Sequence, residues 1–376
     1  MNAVPLPPTN RLDAIDALRG WAFLGVLLVH SANGLAPGPL HTLALHGSYG
    51  VALFFIASAF TLCRSASLRR QSETRPVASF FLRRFFRIVP LFWAGILLYY
   101  FVYGTWNRGQ AEGPLTSWHF GLTALLLHGW HPDTINTVVP GGWSIAVEWT
   151  FYLILPLVLP MLSNLKRAWV GFIFSACLSM VICSFARQSG IRQWFPEVPE
   201  WRQQSFTYLW FPAHLATFAL GVVVFHALPW FKSRVRHEVN LSKRGGAVLM
   251  LVILGMIGLA MTPDHLLKGI EFPLLLAAFC LCLLLYPTPF LVNQFTQQVG
   301  RLSFSAYITH FAVLAALRKG FLTTGEVLTV SGFVGLFAGA LLMTMAASII
   351  THRVIEIPGQ SVGRWLLAKL NAMPLA

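Results

Sequence analysis

Two apolar runs of this sequence carry residues that do not belong in hydrocarbon. The first opens on Asp16-Ala17-Leu18-Arg19-Gly20 and closes on His30. Ionisable groups in such a run cost several kcal/mol each, so their presence asks for a role. On a helix Arg19 and His30 lie about 20° past three full turns from each other, on one face, roughly 16 Å apart along the axis. Asp16, three residues before Arg19, is within pairing reach of it. The second run begins Trp143-Ser144 and continues to Glu148 and Tyr152. Ser144, Glu148 and Tyr152 recur at every fourth position and form one stripe. Counted inward from the outer end of its run, Glu148 is expected about one turn deep, level with His30. An imidazole and a carboxylate at one depth suit general acid–base chemistry: His30 accepts a hydroxyl proton, Glu148 holds or balances the imidazole, and Ser144 orients it. A third feature is Arg83, Arg84 and Arg87, gathered at the mouth of another run, where guanidinium forks can grip phosphates. Each feature also has a plainer reading. Arg19 can be a snorkelling anchor, His30 an end cap, Glu148 the partner of a buried arginine, and the cluster ordinary membrane anchoring. His214 and His310 also fall in apolar runs, where a lone histidine is more often a packing residue.

The elements that must position these groups are membrane spans. Charged residues make up 11% of the 376 residues and hydrophobic ones 56%. An ordinary soluble domain is about 25% charged, and so few charges cannot cover so much apolar surface. The expected fold is all-α and polytopic, one bundle over 1–376 without an appended soluble domain. About ten transmembrane helices are expected, at 17–36, 47–63, 88–104, 143–162, 168–186, 206–229, 246–262, 269–286, 302–318 and 327–350. The stretch 115–130 reads as a re-entrant or interfacial helix. With the N-terminus in the cytoplasm, 20 of the 27 Lys and Arg fall on that side, which by the positive-inside rule puts both termini there. The basic excess is thereby accounted for without nucleic acid. The start of the chain, Pro-rich and uncharged to Asn10, does not read as a cleavable signal peptide. The five cysteines lie in or at the end of apolar runs without metal-ligand context and read as small hydrophobes.

In order along nearly the whole chain, these segments resemble acyltransferase family 3, integral-membrane enzymes that O-acylate sugars and other hydroxyl acceptors. The likeness rests on Arg19 followed by His30, Gly50 to Phe60, Arg83 to Pro90, Trp143-Ser144 through Glu148 and Tyr152, Gly300 to Tyr307 with His310, and Glu356-Ile357-Pro358. Ala52, Ala59 and Thr150 depart from the family's pattern. The resemblance implies a ten-span enzyme of the cytoplasmic (inner) membrane, taking an acyl group, most simply acetyl, from a cytoplasmic acyl-CoA to a glycan hydroxyl on the far side. On that view Arg19, Arg83, Arg84 and Arg87 receive the CoA phosphates, and the pantetheine arm spans the distance to His30. His30, Glu148 and Ser144 are then catalytic, Asp16, Trp143, Tyr152 and His310 contact substrate, and no metal takes part. Direct transfer and a transient acyl-His are both open. The outer loop 104–142 adds Trp106, Trp118 and Trp130 as sugar platforms or as an interfacial belt. The competing class is a secondary transporter, against which stands the absence of an internal repeat.

Overall fold

A computed structural model describes residues 9–69, 73–106, 113–235, 241–262, 268–321 and 327–372. Arg70, Arg108 and Arg236, which entered the charge count, and residues 1–8 lie outside these. The first half of the chain forms α1 (Thr9–Ser31), α2 (Pro39–Leu45), α3 (Gly50–Arg69), α4 (Pro76–Tyr103), α5 (Ser117–Ala124), α6 (Trp143–Val158) and α7 (Leu165–Phe185). Then come α8 (Ile191–Trp194), α9 (Glu200–Leu209), α10 (Leu215–Val235), α11 (Leu241–Met261) and α12 (Lys268–Leu285). The chain finishes with α13 (Gln294–Arg301), α14 (Ser303–Phe321), α15 (Val330–Thr351) and α16 (Ile357–Ala372). Among the described residues regular structure is helical throughout, apart from one isolated bridge between Leu35 and Leu328. This is an all-α, multi-pass membrane fold. Among the described residues six helical stretches are long and apolar enough to cross a membrane, or seven if the pair α13 and α14, bent by 79°, counts as one broken span. The runs at Trp143–Val158, Gly245–Met261 and Gly269–Leu285 are apolar but shorter. Length and composition thus support six or seven crossings among the described residues, and the expected count of ten is not confirmed.

Local chemistry sets several helix ends. Pro39 and Pro76 occupy first turns, where a missing N–H is harmless. The Asn164 side chain accepts from the Arg167 amide at 2.9 Å, and Asn293 caps α13 reciprocally with Thr296. Gly104 closes α4 at φ 61°, where a side chain would be strained.

The bundle is assembled around α1, which packs on α3, α13, α14 and α15. Its approach to α13 is set by two glycines. A Cβ on Gly20 would overlap the Thr296 carbonyl, and one on Gly300 would overlap the Asp16 carbonyl. This small-residue contact brings backbones together where lipid provides no hydrophobic drive. α10 lies against α3, α7 and α12, and α16 lies on α4. Trp93, Phe101, Leu157, Phe174, Leu251, Leu342 and Ile350 are exposed on the outside, as a lipid-facing surface requires. Cys63, Cys183, Cys280 and Cys282 are buried free thiols, and Cys177 is exposed.

Candidate functional site

Several polar residues of the bundle line two cavities. The first, about 80 Å³, is walled by Arg19 of α1, Ser58 of α3, Arg84 and Arg87 of α4, Glu148 and Tyr152 of α6, and Ser303 at the N-terminus of α14. Three guanidiniums and a helix N-terminus make this an anion-attracting recess. Arg19 donates to Thr61 Oγ1 at 3.2 Å, and the Arg84 guanidinium lies over the Tyr152 ring at 5.8 Å. Glu148 Oε1 accepts from Tyr152 Oη at 2.5 Å and from the Ser58 hydroxyl. Those two donors fix the orientation of the Glu148 side chain in the recess.

The second cavity, about 380 Å³, is bounded by His30 of α1, Tyr49 and Ala52, Asn136, Trp143, and His214 at the start of α10. Val51 and Tyr307 line both cavities and so stand between them. Ser144 Oγ donates to Tyr307 Oη at 2.8 Å, and Tyr307 Oη donates to the Gly141 carbonyl at 3.1 Å. Gly141 has φ 76°, and a Cβ there would press on Phe311 and the Tyr307 hydroxyl. His30 stands 5.5 Å from His310 and 4.3 Å from Phe311, ring centre to ring centre. His310, fully buried, donates from Nδ1 to the Tyr307 carbonyl at 2.7 Å, which leaves Nε2 a bare acceptor with no partner.

The predicted groups are therefore brought together in two sets. Arg19, Arg84, Arg87, Glu148, Tyr152 and Ser144 share the first cavity, and His30 and Trp143 share the second. Glu148 is not level with His30, as the sequence count expects; it belongs with the arginines. The reason lies in the segment before α6. Residues Thr134, Ile135, Thr137, Val138 and Val139 are buried, so α6 starts inside the protein and Gly142 does not mark the membrane surface. Ser144 likewise orients Tyr307 and not the His30 imidazole. Arg83 turns away from Arg84 and Arg87 to a two-pronged ion pair with Glu73. Asp16 is half-buried beside Arg19 and Arg301 and lines neither cavity. His310 backs His30 from behind the second cavity.

The stretch 115–130 holds one short helix, α5, and a single turn at His128–Trp130. It is tied down by polar contacts. Asp133 bridges His119 Nε2 at 3.1 Å and the Arg202 guanidinium at 2.8 Å. His128 stacks on Phe92 and shares a 3.1 Å hydrogen bond with the Gly142 carbonyl. Burial pushes the His128 imidazole down to about 4, against the opposing pull of that carbonyl. Trp106, Trp118 and Trp130 are exposed and line neither cavity. Sequence reasoning missed Arg318, which donates to the carbonyls of His30 at 3.0 Å and Asn33 at 2.9 Å and so caps the end of α1. Its partners lie some 285 residues away along the chain, so no local pattern could have found it. Among the described residues no group of three His, Cys, Asp or Glu is placed to hold a metal.

Comparison with known proteins gives a consistent picture. The family model described as an acyltransferase domain, that of acyltransferase family 3, matches residues 12–353. Acyltransferase MdmB of Streptomyces mycarofaciens is 28% identical over 239 residues, 58% of this chain and 58% of its own length. A putative O-acetyltransferase of Staphylococcus aureus (strain COL) is 23% identical over 94% of this chain and 58% of its own length. Nodulation protein 10 of Rhizobium leguminosarum bv. viciae is 30% identical over 41% of this chain and 46% of its own length. The chain thus spans about three fifths or less of these relatives. No solved structure matches it.

Proposed function

The chain belongs to acyltransferase family 3, and on that premise we propose that it is a membrane O-acyltransferase carrying an acyl group, most simply acetyl, from acyl-CoA to a hydroxyl of a glycan. The observation that supports this reading best is that the two cavities are neighbours, with Val51 and Tyr307 as their common wall. Acyl transfer from a large anionic donor to an uncharged alcohol calls for that arrangement. Charge must be gathered at one end and a proton acceptor placed at the other.

In this reading the first cavity and its mouth receive the donor. Arg84 and Arg87, with Arg19 deeper in, face the CoA phosphates, and the N-terminus of α14 adds its dipole. Glu148 keeps the three cations from repelling one another while the site is empty. The pantetheine arm threads toward Tyr307 and brings the thioester carbonyl to the junction. The second cavity receives the alcohol. His30 takes the hydroxyl proton as the oxygen attacks the thioester carbon. The C–S bond then breaks, and the departing CoA sulfur recovers the proton from His30. The products are an O-acyl ester and the CoA thiol. In this reading the bare Nε2 of His310, whose ring lies 5.5 Å from that of His30, accepts an N–H from the His30 ring during the reaction, leaving the other His30 nitrogen free as the base. A donor arriving from the cytoplasm, with the phosphates staying on that side, fits the positive-inside orientation.

Purified protein given acetyl-CoA labelled in the acetyl group, with a membrane glycan extract as acceptor, tests the reading. Label should pass to the extract with release of the CoA thiol, and His30→Ala should lower that rate by about 10²–10⁴-fold. Transfer surviving in His30→Ala would remove the base from its role.

A further inference from the structure

We propose that Glu356 is a positioning residue for the donor site, a buried carboxylate that ties the first turn of α14 to the arginine-bearing turn of α4. The proposal rests on the first cavity being the donor site. Glu356 lines neither cavity and is only 5% exposed. A carboxylate inside an apolar bundle is costly to bury and asks for a role. Both of its oxygens are engaged. Oε2 accepts from Ser305 Oγ at 3.0 Å and shares a 2.9 Å bond with His352 Nδ1, and Oε1 accepts from Gln360 Nε2 at 3.2 Å. Of these three partners only Ser305 lies on a different helix.

Glu356 closes a π turn, His352–Glu356, set between α15 and α16. Such turns are rare and are frequent at functional sites. Beyond it α16 is pinned to α4 at close range. A Cβ on Gly359 would stand 3.0 Å from Pro90 Cγ, and one on Gly363 would stand 2.7 Å from Phe86 Cβ. Phe86 falls between Arg84 and Arg87, whose side chains line the first cavity. On the other side of Glu356, Ser305 shares the first turn of α14 with Ser303 and Phe304, which line the same cavity. One carboxylate thus sits behind two walls of the recess, anchored on α4 through α16 and holding α14 through Ser305. Without that partner the Ser305 hydroxyl would turn to a carbonyl of the preceding turn, as helical serines do. The first turn of α14 would then lose its tie to α4, and its spacing from Arg84 and Arg87 would no longer be set.

The test uses the purified full chain, with KM and kcat for acetyl-CoA measured beside calorimetric binding of CoA. Glu356→Met keeps the volume and removes every hydrogen bond. It should raise the acetyl-CoA KM and the CoA Kd about tenfold while kcat stays within about twofold, because contacts remote from the thioester contribute largely uniform binding. A variant that is merely less stable loses active protein, which lowers the apparent kcat and leaves KM alone. Ser305→Ala should raise KM several-fold, and adding it to Glu356→Met should raise KM no further, since both act through one bond. Glu356→Gln, whose amide can still pair with Ser305, should bring KM to within about threefold of the native value. Native KM and CoA affinity in either Glu356→Met or Ser305→Ala would overturn the inference. So would losses that multiply in the double variant, or a Glu356→Gln variant as impaired as Glu356→Met. Ser305→Ala and Glu356→Gln decide the matter where Glu356→Met fails to insert. A native protein that binds no CoA and releases no CoA thiol would overturn the donor reading first, and this inference with it.

Discussion

Tyr307 stands in the wall between the two cavities, and its removal can be worked through in steps. In Tyr307→Phe the ring stays and only Oη is lost. Ser144 Oγ, which donates to that oxygen, lies 3.1 Å from the Gly141 carbonyl and can turn to it. The Gly141 carbonyl, which loses the Tyr307 donor, thereby gains another. One net hydrogen bond disappears, worth about 1 kcal/mol, and transfer should fall less than about tenfold. Tyr307→Leu is a different perturbation. It removes the ring from a packed wall against Phe54, which it meets edge-on at 6.2 Å. Truncating a buried aromatic costs about 3–5 kcal/mol for Ala and somewhat less for Leu, which refills part of the space. It also opens the wall between the two cavities to water. The assay follows two quantities on purified protein: CoA thiol released and acetyl transferred. Their ratio should stay near unity in Tyr307→Phe and rise several-fold in Tyr307→Leu as thioester is lost to water. A loss beyond 100-fold in Tyr307→Phe would refute the reasoning, because the hydroxyl would then be stabilising the transition state directly. Unchanged coupling in Tyr307→Leu would refute the junction itself.

Other expectations follow from contacts already described. Arg83→Ala should leave the acetyl-CoA KM within about twofold, because Arg83 is occupied by Glu73, whereas Arg84→Ala combined with Arg87→Ala should raise it at least tenfold; steady-state kinetics on the same preparations compares them. Arg318→Gln withdraws hydrogen bonds from the end of α1, so it should cost about 1–2 kcal/mol of thermal stability and lower kcat more than KM, since His30 sits on that last turn. His128 is held neutral, with its imidazole near 4 in the folded protein against about 6.5 unfolded. The unfolded state binds the extra proton, so this contribution is complete above about pH 6.5 and is lost as pH falls toward 4, to a total of about 3 kcal/mol. His128→Gln should therefore flatten the fall in melting temperature between pH 7 and pH 4.5 relative to the native protein, and an identical slope would contradict the buried neutral imidazole.

Much of this architecture was legible in the residues. The low charge and long apolar runs required a helical membrane protein, and the alignment of Arg19 with His30 on one face of α1 placed one in each cavity. The i, i+4 relation of Glu148 and Tyr152 became a hydrogen bond. What the residues could not show was depth and partnership. Counting inward from Gly142 assumed that α6 begins at the membrane surface, and it begins beneath the buried stretch Thr134 to Val139. That shift of level moved Glu148 from the histidine to the arginines. Arg83, Arg84 and Arg87 look equivalent on a helix, and only tertiary contact showed that Glu73 claims the first. The capping of α1 by Arg318 and the closeness of the His30 and His310 rings depend on α14 packing beside α1, a long-range contact that periodicity does not encode.

The central claim is that a donor cavity and an acceptor cavity are separate sites with Tyr307 in their common wall. Calorimetric binding of CoA to purified variants, measured beside acetyl transfer, tests it most directly. His30→Ala should bind CoA with native affinity while transferring almost nothing, and the Arg84→Ala, Arg87→Ala double variant should lose CoA affinity at least tenfold. Equal loss of CoA binding in both, or native CoA binding in the arginine variant, would contradict the division of the site.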